Sequence, residues 1–124
     1  KHLPVKHCLQ GTWGWQLVDE VDATISNDVW CEDSSIYNKY TFGAFRLAKD
    51  LNDLAFCPGV KITSITLIGL CTDICVISNA MLLKAALPSV PIIVDASCCA
   101  GVTPESHKNA LAAMKMCQIE IVNE

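Results

Sequence analysis

The segment Ile62–Val76 reads ITSITLIGLCTDICV, an apolar run that ends in a polar turn. Its first part, Ile62 to Leu70, is rich in β-branched and apolar residues, which is typical of a strand buried on both faces of a parallel sheet. Thr72 and Asp73 follow at once, and they predict the cap of a helix that runs to about Leu87. The segment therefore predicts a buried strand that passes directly into a helix.

The same alternation of strand and helix patterns continues on both sides of this segment. The predicted elements are a strand Ser35–Tyr40, a helix Phe42–Phe56, a strand Pro91–Ala96, a helix capped by Thr103 that ends at Cys117, and a strand Gln118–Val122. The order β-α-β-α-β-α-β predicts an α/β fold with a mostly parallel, Rossmann-like sheet. Right-handed crossovers place helices on both faces, so we expect a three-layer α/β/α architecture.

Residues 1–34 have a different pattern. They lack a clear hydrophobic period and contain Gly11, Gly14 and all three tryptophans of the chain. We expect a long, loop-rich pocket segment there, with one short helix around Trp15–Val21. With residues 35–124 as the core, residues 1–124 are predicted to form a single domain.

Composition and charge narrow the function classes. The 124 residues are 52% hydrophobic, which excludes intrinsic disorder. The formal net charge is −4 and no basic run is present, so nucleic acid is not an expected partner. The longest nearly uncharged stretch, residues 62–83, is interrupted by polar residues, so no membrane helix is expected. The excess of apolar residues favours a homo-oligomer.

The sequence has eight cysteines. Four of them, Cys71, Cys75, Cys98 and Cys99, lie in or beside apolar strand and helix patterns. Disulfide scaffolds, by contrast, are rich in loops. We therefore expect reduced thiols and a cytoplasmic protein. A redox pair of Cys71 and Cys75 lacks the C-x-x-C spacing, and a zinc cluster of cysteines is weakly supported.

Three candidate functional segments fall at the carboxyl edge of the predicted sheet, where open parallel sheets bind ligands. They are Lys39, the turn Gly69–Cys75 and a loop Asp95–Gly101. Cys75 lies in the first turn of the predicted helix, where backbone N–H groups and the helix dipole favour a thiolate and stabilise an oxyanion. The alternative is that Cys75 is a core residue, since cysteine is often buried.

Lys39 and the histidines are weaker candidates when each is taken alone. Lys39 is either a cation at the ligand edge or an edge lysine whose stem packs on the sheet while its ammonium reaches solvent. His7 stands beside Cys8, and a single histidine is more often structural or exposed than a metal ligand. His2 and His107 are expected to be exposed and isolated.

The block Gly69–Val76, GLCTDICV, together with the apolar strand before it, resembles the nucleophile motif of the isochorismatase-like cysteine hydrolases. This superfamily includes the nicotinamidases and related amidases. Pro4–Cys8, Gly11-Thr12, Lys39 and Asp95–Gly101 match the family pattern in the same order. The resemblance covers nearly the whole chain and implies the three-layer fold, with the sheet incomplete on its N-terminal side.

The resemblance implies a role for each matching residue. Cys75 is then the nucleophile, and Lys39 is its cationic partner. A cis peptide bond between Leu70 and Cys71 is implied, which turns the backbone N–H groups of Cys71 and Cys75 towards an oxyanion. Phe42 is implied to line the substrate pocket.

The resemblance also implies elements that precede Lys1. Family members carry a catalytic aspartate, the general base, at the end of a first strand, and neither Asp73 nor Asp95 replaces it. His7 matches a metal ligand of the nicotinamidases, so a divalent metal (zinc, iron or manganese) is implied, held by His7 and by ligands upstream of this chain. We therefore expect the chain to be the C-terminal two-thirds of a longer hydrolase.

The activity that the resemblance implies is the hydrolysis of a small-molecule amide through a thioester on Cys75. Nicotinamide, cleaved to nicotinate and ammonia, is the leading substrate. The alternative is a catalytically idle relative that serves as a binding or scaffold subunit through the same pocket. The presence of both Cys75 and Lys39 favours activity, while the choice of amide stays open.

Overall fold

The computed structural model describes residues 6–22 and 36–124. The chain divides into two compact units, Lys1–Ile36 and Tyr37–Glu124. Within the described residues, the second unit contains every strand and every helix longer than one turn.

The second unit alternates helices and strands along the chain, as its hydrophobic pattern predicts. Its elements are α1 (Phe45–Ala55), β1 (Ile65–Leu70), α2 (Ile77–Ala86), β2 (Ile92–Ala100), α3 (Pro104–Met116) and β3 (Glu120–Val122), with a π-helical turn, Thr72–Val76, between β1 and α2. The start of α3 follows its sequence signal. The Thr103 side chain accepts a hydrogen bond from the Ser106 N–H, and Pro104 takes the first helical position.

The three strands form one parallel sheet in the order β1-β2-β3. Ile65 of β1 pairs with Ile92 of β2, and Ile93 of β2 pairs with Glu120 of β3. Each parallel pair is joined by a helix, because parallel neighbours need a crossover connection. The predicted α/β class is confirmed.

The helices α1, α2 and α3 pack together on one face of this sheet. Ala48, Leu83 and Met114, one from each helix, form a single buried cluster with Ile92 and Val94 of β2. Full burial of a side chain such as Leu83 contributes roughly 1.5–3 kcal/mol relative to exposure. The core therefore lies between the sheet and α1, α2 and α3.

Burial alternates along β1, whereas the sequence predicted burial on both faces. Ile65 and Leu67 pack against the core, while Ile68 and Leu70 on the other face are 64% and 70% exposed. The alternation follows from the side-chain period of two in a strand, combined with the one-sided helix packing of the described residues.

β2 is longer than its sequence pattern predicts. Leu67 pairs with Val94, but Gly69 pairs with Cys99, so a step of two residues on β1 spans five on β2. The predicted loop Asp95–Gly101 is therefore wrong for its larger part. These residues form a bulge after which the pairing with β1 resumes.

Hydrogen bonds to the Asp95 carboxylate stabilise this bulge. The carboxylate accepts hydrogen bonds from the Ser97 N–H at 3.1 Å, from the Ser97 hydroxyl at 2.7 Å and from the Asn123 side-chain amide at 3.0 Å. The bonds from Ser97 and then Asn123 lower the pKa of Asp95. Opposite the bulge, Gly69 has a φ of 120°, a conformation that side chains with a Cβ rarely adopt.

The predicted strand at Ser35–Tyr40 is not formed. Ser35 lies outside the described residues, and residues 36–40 have no strand partner in the part of the chain that the structure describes. A strand is stable only when a neighbour satisfies its backbone groups. Tyr37 instead donates a side-chain hydrogen bond to Asp50 of α1 at 3.1 Å, and α1 begins at Phe45 rather than Phe42.

The described residues of the first unit are 6–22 and Ile36. They contain a 3-10 turn, Trp13–Trp15, and one helical turn at residues 19–22. The predicted single helix around Trp15–Val21 is wrong, because Gln16 is extended, with φ −66° and ψ 153°, and separates the two turns.

Two further expectations concern cysteines and membranes. The seven cysteines that lie within residues 6–22 and 36–124 are free thiols, in line with the expected reduced state. Over the same residues, none of the helices has the length and apolar character that a bilayer crossing requires.

Candidate active site

The candidate nucleophile lies directly after β1. The Leu70–Cys71 peptide bond is cis, and the chain then enters the π-helical turn in which Cys75 is the fourth residue. The carbonyl oxygen of Cys71 accepts hydrogen bonds from Ile74 N–H and Val76 N–H, each at 3.1 Å. Cys75 is thereby held on a hydrogen-bonded turn at the carboxyl end of a parallel strand, where α/β sheets bind ligands.

Thr72 and Asp73 lie inside this turn and do not cap it, contrary to the sequence prediction. The capping position is Cys71, and its side chain makes no capping hydrogen bond. Asp73 instead accepts a hydrogen bond from the Val102 N–H at 3.1 Å. A hydrogen bond from Ser106, helped by the one from Val102, lowers the pKa of Asp73. The Asp73 carboxylate therefore ties the turn to the start of α3.

Thr72 makes a second hydrogen-bonded contact between the π-helical turn and α3. It is 0% exposed, and its Oγ1 lies 2.8 Å from Nδ1 of His107. The expectation that His107 is exposed and isolated is wrong, because the start of α3 packs against the π-helical turn and leaves His107 half-buried. His2 lies outside the described residues. Gly101 permits this approach, since a Cβ there would lie 2.8 Å from the His107 Cβ.

Lys39 lies beside Cys75, although the two residues are 36 positions apart in sequence. The Lys39 Nζ is 3.5 Å from the Cys75 Sγ and 3.0 Å from the carbonyl oxygen of Thr41. A cation at hydrogen-bond distance stabilises a thiolate over a thiol. By contrast, burial raises the pKa of the Cys99 thiol. These surroundings favour Cys75 over Cys99 as a nucleophile.

The side chain of Asn79 on α2 connects the segment that carries Lys39 to the nucleophile turn. Its Oδ1 accepts the Ala44 N–H at 2.8 Å. Its Nδ2 donates to the carbonyl oxygens of Cys75 at 2.8 Å and Phe42 at 3.4 Å. The backbone of Phe42, the predicted pocket residue, is thus fixed next to the turn that carries Cys75, while the Phe42 side chain is 44% exposed.

A complete metal centre does not emerge from the described residues. Among residues 6–22 and 36–124, no three histidine, cysteine, aspartate or glutamate side chains are grouped so that they could hold a metal ion. His7, the predicted ligand, lies in the first unit and is exposed. One histidine alone is too few ligands for a metal site.

Comparison with protein families identifies the class. The family model of the isochorismatase domain matches residues 1–123. The chain belongs to the isochorismatase family. No curated protein has a significantly similar sequence.

Solved structures of this isochorismatase fold include several amidases. The nicotinamidase of Bacillus subtilis is 25% identical, with a TM-score of 0.76, over 96% of this chain and 64% of that protein. A pyrazinamidase of Pyrococcus horikoshii in complex with zinc is 26% identical, with a TM-score of 0.69, over 96% of this chain and 62% of that protein. The nicotinamidase of Staphylococcus aureus is 22% identical, with a TM-score of 0.76, over 94% and 70%. The chain thus spans less than two-thirds of the first two relatives.

The structure brings together some of the predicted site residues and adds one that the sequence argument missed. Lys39, Cys71, Cys75 and the backbone of Phe42 meet at one end of β1. Asn79 was not predicted. A signal for it exists, because it follows Cys75 by four residues, one helical turn, and is polar within an otherwise apolar run.

Proposed function

We propose that the protein is a cysteine-dependent hydrolase of small amides, with Cys75 as nucleophile and Lys39 as its cationic partner. The observation that carries this proposal is the 3.5 Å contact between the Lys39 Nζ and the Cys75 Sγ at the carboxyl end of β1. Membership of the isochorismatase family and the similarity to two amidases at 25% and 26% identity support it.

The proposed reaction proceeds through a thioester. The Cys75 thiolate attacks the amide carbonyl carbon, a C–S bond forms, and the carbonyl electron pair moves to oxygen. The backbone N–H groups of Cys71 and Cys75 are proposed to stabilise that oxyanion. Its collapse breaks the C–N bond, and the nitrogen leaves as ammonia after it takes up a proton. Water then attacks the thioester carbonyl carbon and the C–S bond breaks, which releases the carboxylic acid and the Cys75 thiolate. The second proton of the water replaces the proton that the leaving nitrogen took up.

The role of Lys39 in this scheme is electrostatic. Its ammonium stabilises the thiolate before attack and remains beside the sulfur when the thiolate is released again. The acidic residues near the strand ends have other tasks, since Asp73 binds the start of α3 and Asp95 holds the bulge of β2. The aspartate base that the family resemblance implies therefore has no counterpart in either of them.

Nicotinamide is the leading substrate, since the similar structure from Bacillus subtilis, at 25% identity, is a nicotinamidase. A divalent metal bound in part by His7 belongs to the same proposal and is supported by the zinc complex of the pyrazinamidase. A homo-oligomeric, cytoplasmic protein stays a prediction from composition and cysteine usage.

The test is ammonia release from nicotinamide and a panel of small amides by the full-length protein, by Cys75→Ala and by Cys98→Ala. Cys98 is an exposed cysteine on β2 and serves as the matched control. We expect release from at least one amide, lost in Cys75→Ala and kept in Cys98→Ala. Release that persists in Cys75→Ala would refute the nucleophile. If the unaltered protein turns over no amide, the hydrolase proposal fails, and a binding or scaffold subunit becomes the better explanation.

A further inference from the structure

We propose that Asn79 is a positioning residue that holds the Lys39 segment against the turn of Cys75 and so sets the contact between ammonium and sulfur. The catalytic part of this inference rests on the proposed hydrolase function. Its electrostatic part concerns only the reactivity of the Cys75 thiol.

The hydrogen bonds around Asn79 form a closed ring with the candidate site. Asn79 bonds to Ala44 and Phe42 on one side and to the Cys75 carbonyl on the other. Lys39 closes the ring, because its ammonium contacts both the Thr41 carbonyl and the Cys75 sulfur. A change in the position of residues 41–44 is therefore transmitted to the Lys39–Cys75 distance.

The segment needs such an attachment because it has no strand to hold it. Residues 36–43 contain no helix or strand, so no ladder of backbone hydrogen bonds fixes them. Within this segment the Thr41 hydroxyl donates to the Gly43 carbonyl at 2.7 Å, which makes it a compact turn. The side chain of Asn79 supplies the hydrogen bonds from α2 that seat this turn.

The chemistry of an amide side chain suits this position. Asn79 must accept a hydrogen bond from one backbone N–H and donate to two carbonyl oxygens, and an asparagine side chain carries both an acceptor and an NH₂ group. An aspartate would keep the acceptor and lose both donors. An alanine would lose all three hydrogen bonds.

Substitution of Gly43 is a second, independent way to change the contact between the Lys39 ammonium and the Cys75 sulfur. A Cβ on Gly43 would lie 3.3 Å from the carbonyl oxygen of Ser78 on α2, and it would also collide with the Leu82 side chain. The turn therefore sits close against α2, and a Cβ at Gly43 requires the Leu82 side chain to move and the two backbones to separate slightly. Substitution of Gly43 should shift the segment relative to Cys75 while keeping the side chain of Asn79.

The electrostatic consequence is measurable without a substrate. If the ammonium moves away from the Cys75 sulfur, the reacting sulfur loses its cationic neighbour, and the alkylation of Cys75 becomes slower. A purely structural role of Asn79 would lower the stability of the fold and leave the alkylation rate of the folded protein unchanged.

The experiment measures the rate of iodoacetamide alkylation at Cys75 at one fixed pH, resolved by mass spectrometry because the chain has eight cysteines. The proteins are the unaltered chain, Asn79→Ala, Gly43→Ala, Lys39→Met and the control Asn109→Ala. Asn109 is an exposed asparagine on α3, so its replacement is the same chemical change at a position away from the Lys39 segment. Thermal unfolding of each variant identifies any that fails to fold.

We expect the alkylation rate at Cys75 to fall in Asn79→Ala and Gly43→Ala, as it does in Lys39→Met, while Asn109→Ala matches the unaltered chain. In the background of Lys39→Met, Asn79→Ala should cause no further decrease. An unchanged rate in Asn79→Ala, or in Gly43→Ala should Asn79→Ala not fold, would overturn the inference. A decrease of equal size in the Lys39→Met background would also overturn it.

Amide hydrolysis gives a second readout once a substrate is known. Asn79→Ala should lower kcat by roughly 10-fold to 100-fold with little change in KM, because a small misplacement of a reacting group is costly. If no amide is turned over, the proposed function fails, while the alkylation rates at Cys75 still decide the role of Asn79.

Discussion

The two sides of the candidate site are held in different ways. Cys75 lies on a turn that continues directly from β1 and is tied to α3 through the buried Thr72 and through Asp73. Lys39 lies on a segment without regular structure and is attached to α2 through Asn79. The nucleophile thus depends on the packed fold, and its cation depends on a few side-chain hydrogen bonds.

Because the two sides are held differently, substitutions on one side should mainly change the stability of the fold, and substitutions on the other should mainly change the reactivity of the site. A change on the Cys75 side disturbs buried groups and should lower the free energy of unfolding. A change on the Lys39 side removes an exposed contact and should alter reactivity with little effect on unfolding, because substitutions at exposed positions usually change stability by less than about 0.5 kcal/mol. Each of the following predictions tests that separation.

The largest expected effect is the loss of the cation in Lys39→Met. We expect kcat/KM for amide hydrolysis to fall by roughly 100-fold or more, since a charged group that favours the reacting state is removed. The free energy of unfolding, measured in urea, should stay within about 0.5 kcal/mol of the unaltered protein. Steady-state kinetics and urea unfolding are measured on the same preparations.

The control for this prediction is Lys49→Met on α1, which changes the net charge equally at a site where Lys49 pairs with Asp53. It should keep kcat/KM within a few-fold. If Lys39→Met unfolds more readily than Lys49→Met by several kcal/mol, the lysine side is part of the packed fold and the comparison between the two sides is wrong.

An intermediate effect is expected for Thr72→Val, on the nucleophile side. Valine keeps the shape of the buried side chain but removes the hydrogen bond between the Thr72 hydroxyl and Nδ1 of the half-buried His107, and the loss of one such bond costs about 0.5–1.5 kcal/mol. Urea unfolding should detect that loss. The matched control is Thr66→Val, an exposed position on β1, which should change the unfolding free energy by less than about 0.5 kcal/mol. Equal stability of the two variants would contradict the tie between Thr72 and α3.

Much of the fold was predictable because its helices and strands are local patterns. The Thr103-Pro104 start of α3 and the apolar run of β1 are signals within a few residues, and both are confirmed. The bulge of β2 was not predictable, since it depends on pairing between Gly69 and Cys99 on two different strands. The strand predicted at Ser35–Tyr40 failed for a related reason, because a strand is defined by its neighbour as much as by its own residues.

The site was likewise predictable where its residues belong to local motifs and not where they depend on contacts between distant parts of the chain. Cys75 and Lys39 were found from a motif and its order along the chain, and the structure places their side chains in contact. Asn79 and His107 were missed because their roles arise from contacts across 35 positions of sequence, with Ala44 and Thr72 respectively. A polar residue one turn after a candidate nucleophile is the kind of local signal that points to such a contact.

The smallest expected effect concerns acid stability and Asp73. The hydrogen bond from Ser106, with help from Val102, lowers the pKa of Asp73 below its ordinary value of 3.8 in the folded protein. A lowered pKa in the folded state contributes stability above the unfolded pKa of about 4, and that contribution is lost as the pH falls through the folded value. Asp73→Asn should therefore flatten the dependence of unfolding free energy on pH below about pH 4.

The control is Glu105→Gln, which lies in the first turn of the same helix and changes the net charge equally. The unfolding free energy of Glu105→Gln should depend on acidic pH more steeply than that of Asp73→Asn. If the unfolding free energy of Asp73→Asn depends on pH below about pH 4 as steeply as that of the unaltered protein, this carboxylate does not hold the turn of Cys75 against α3. The nucleophile side would then rest on Thr72 and the backbone hydrogen bonds of the π-helical turn, and its contrast with the Lys39 side would be smaller than the distances indicate.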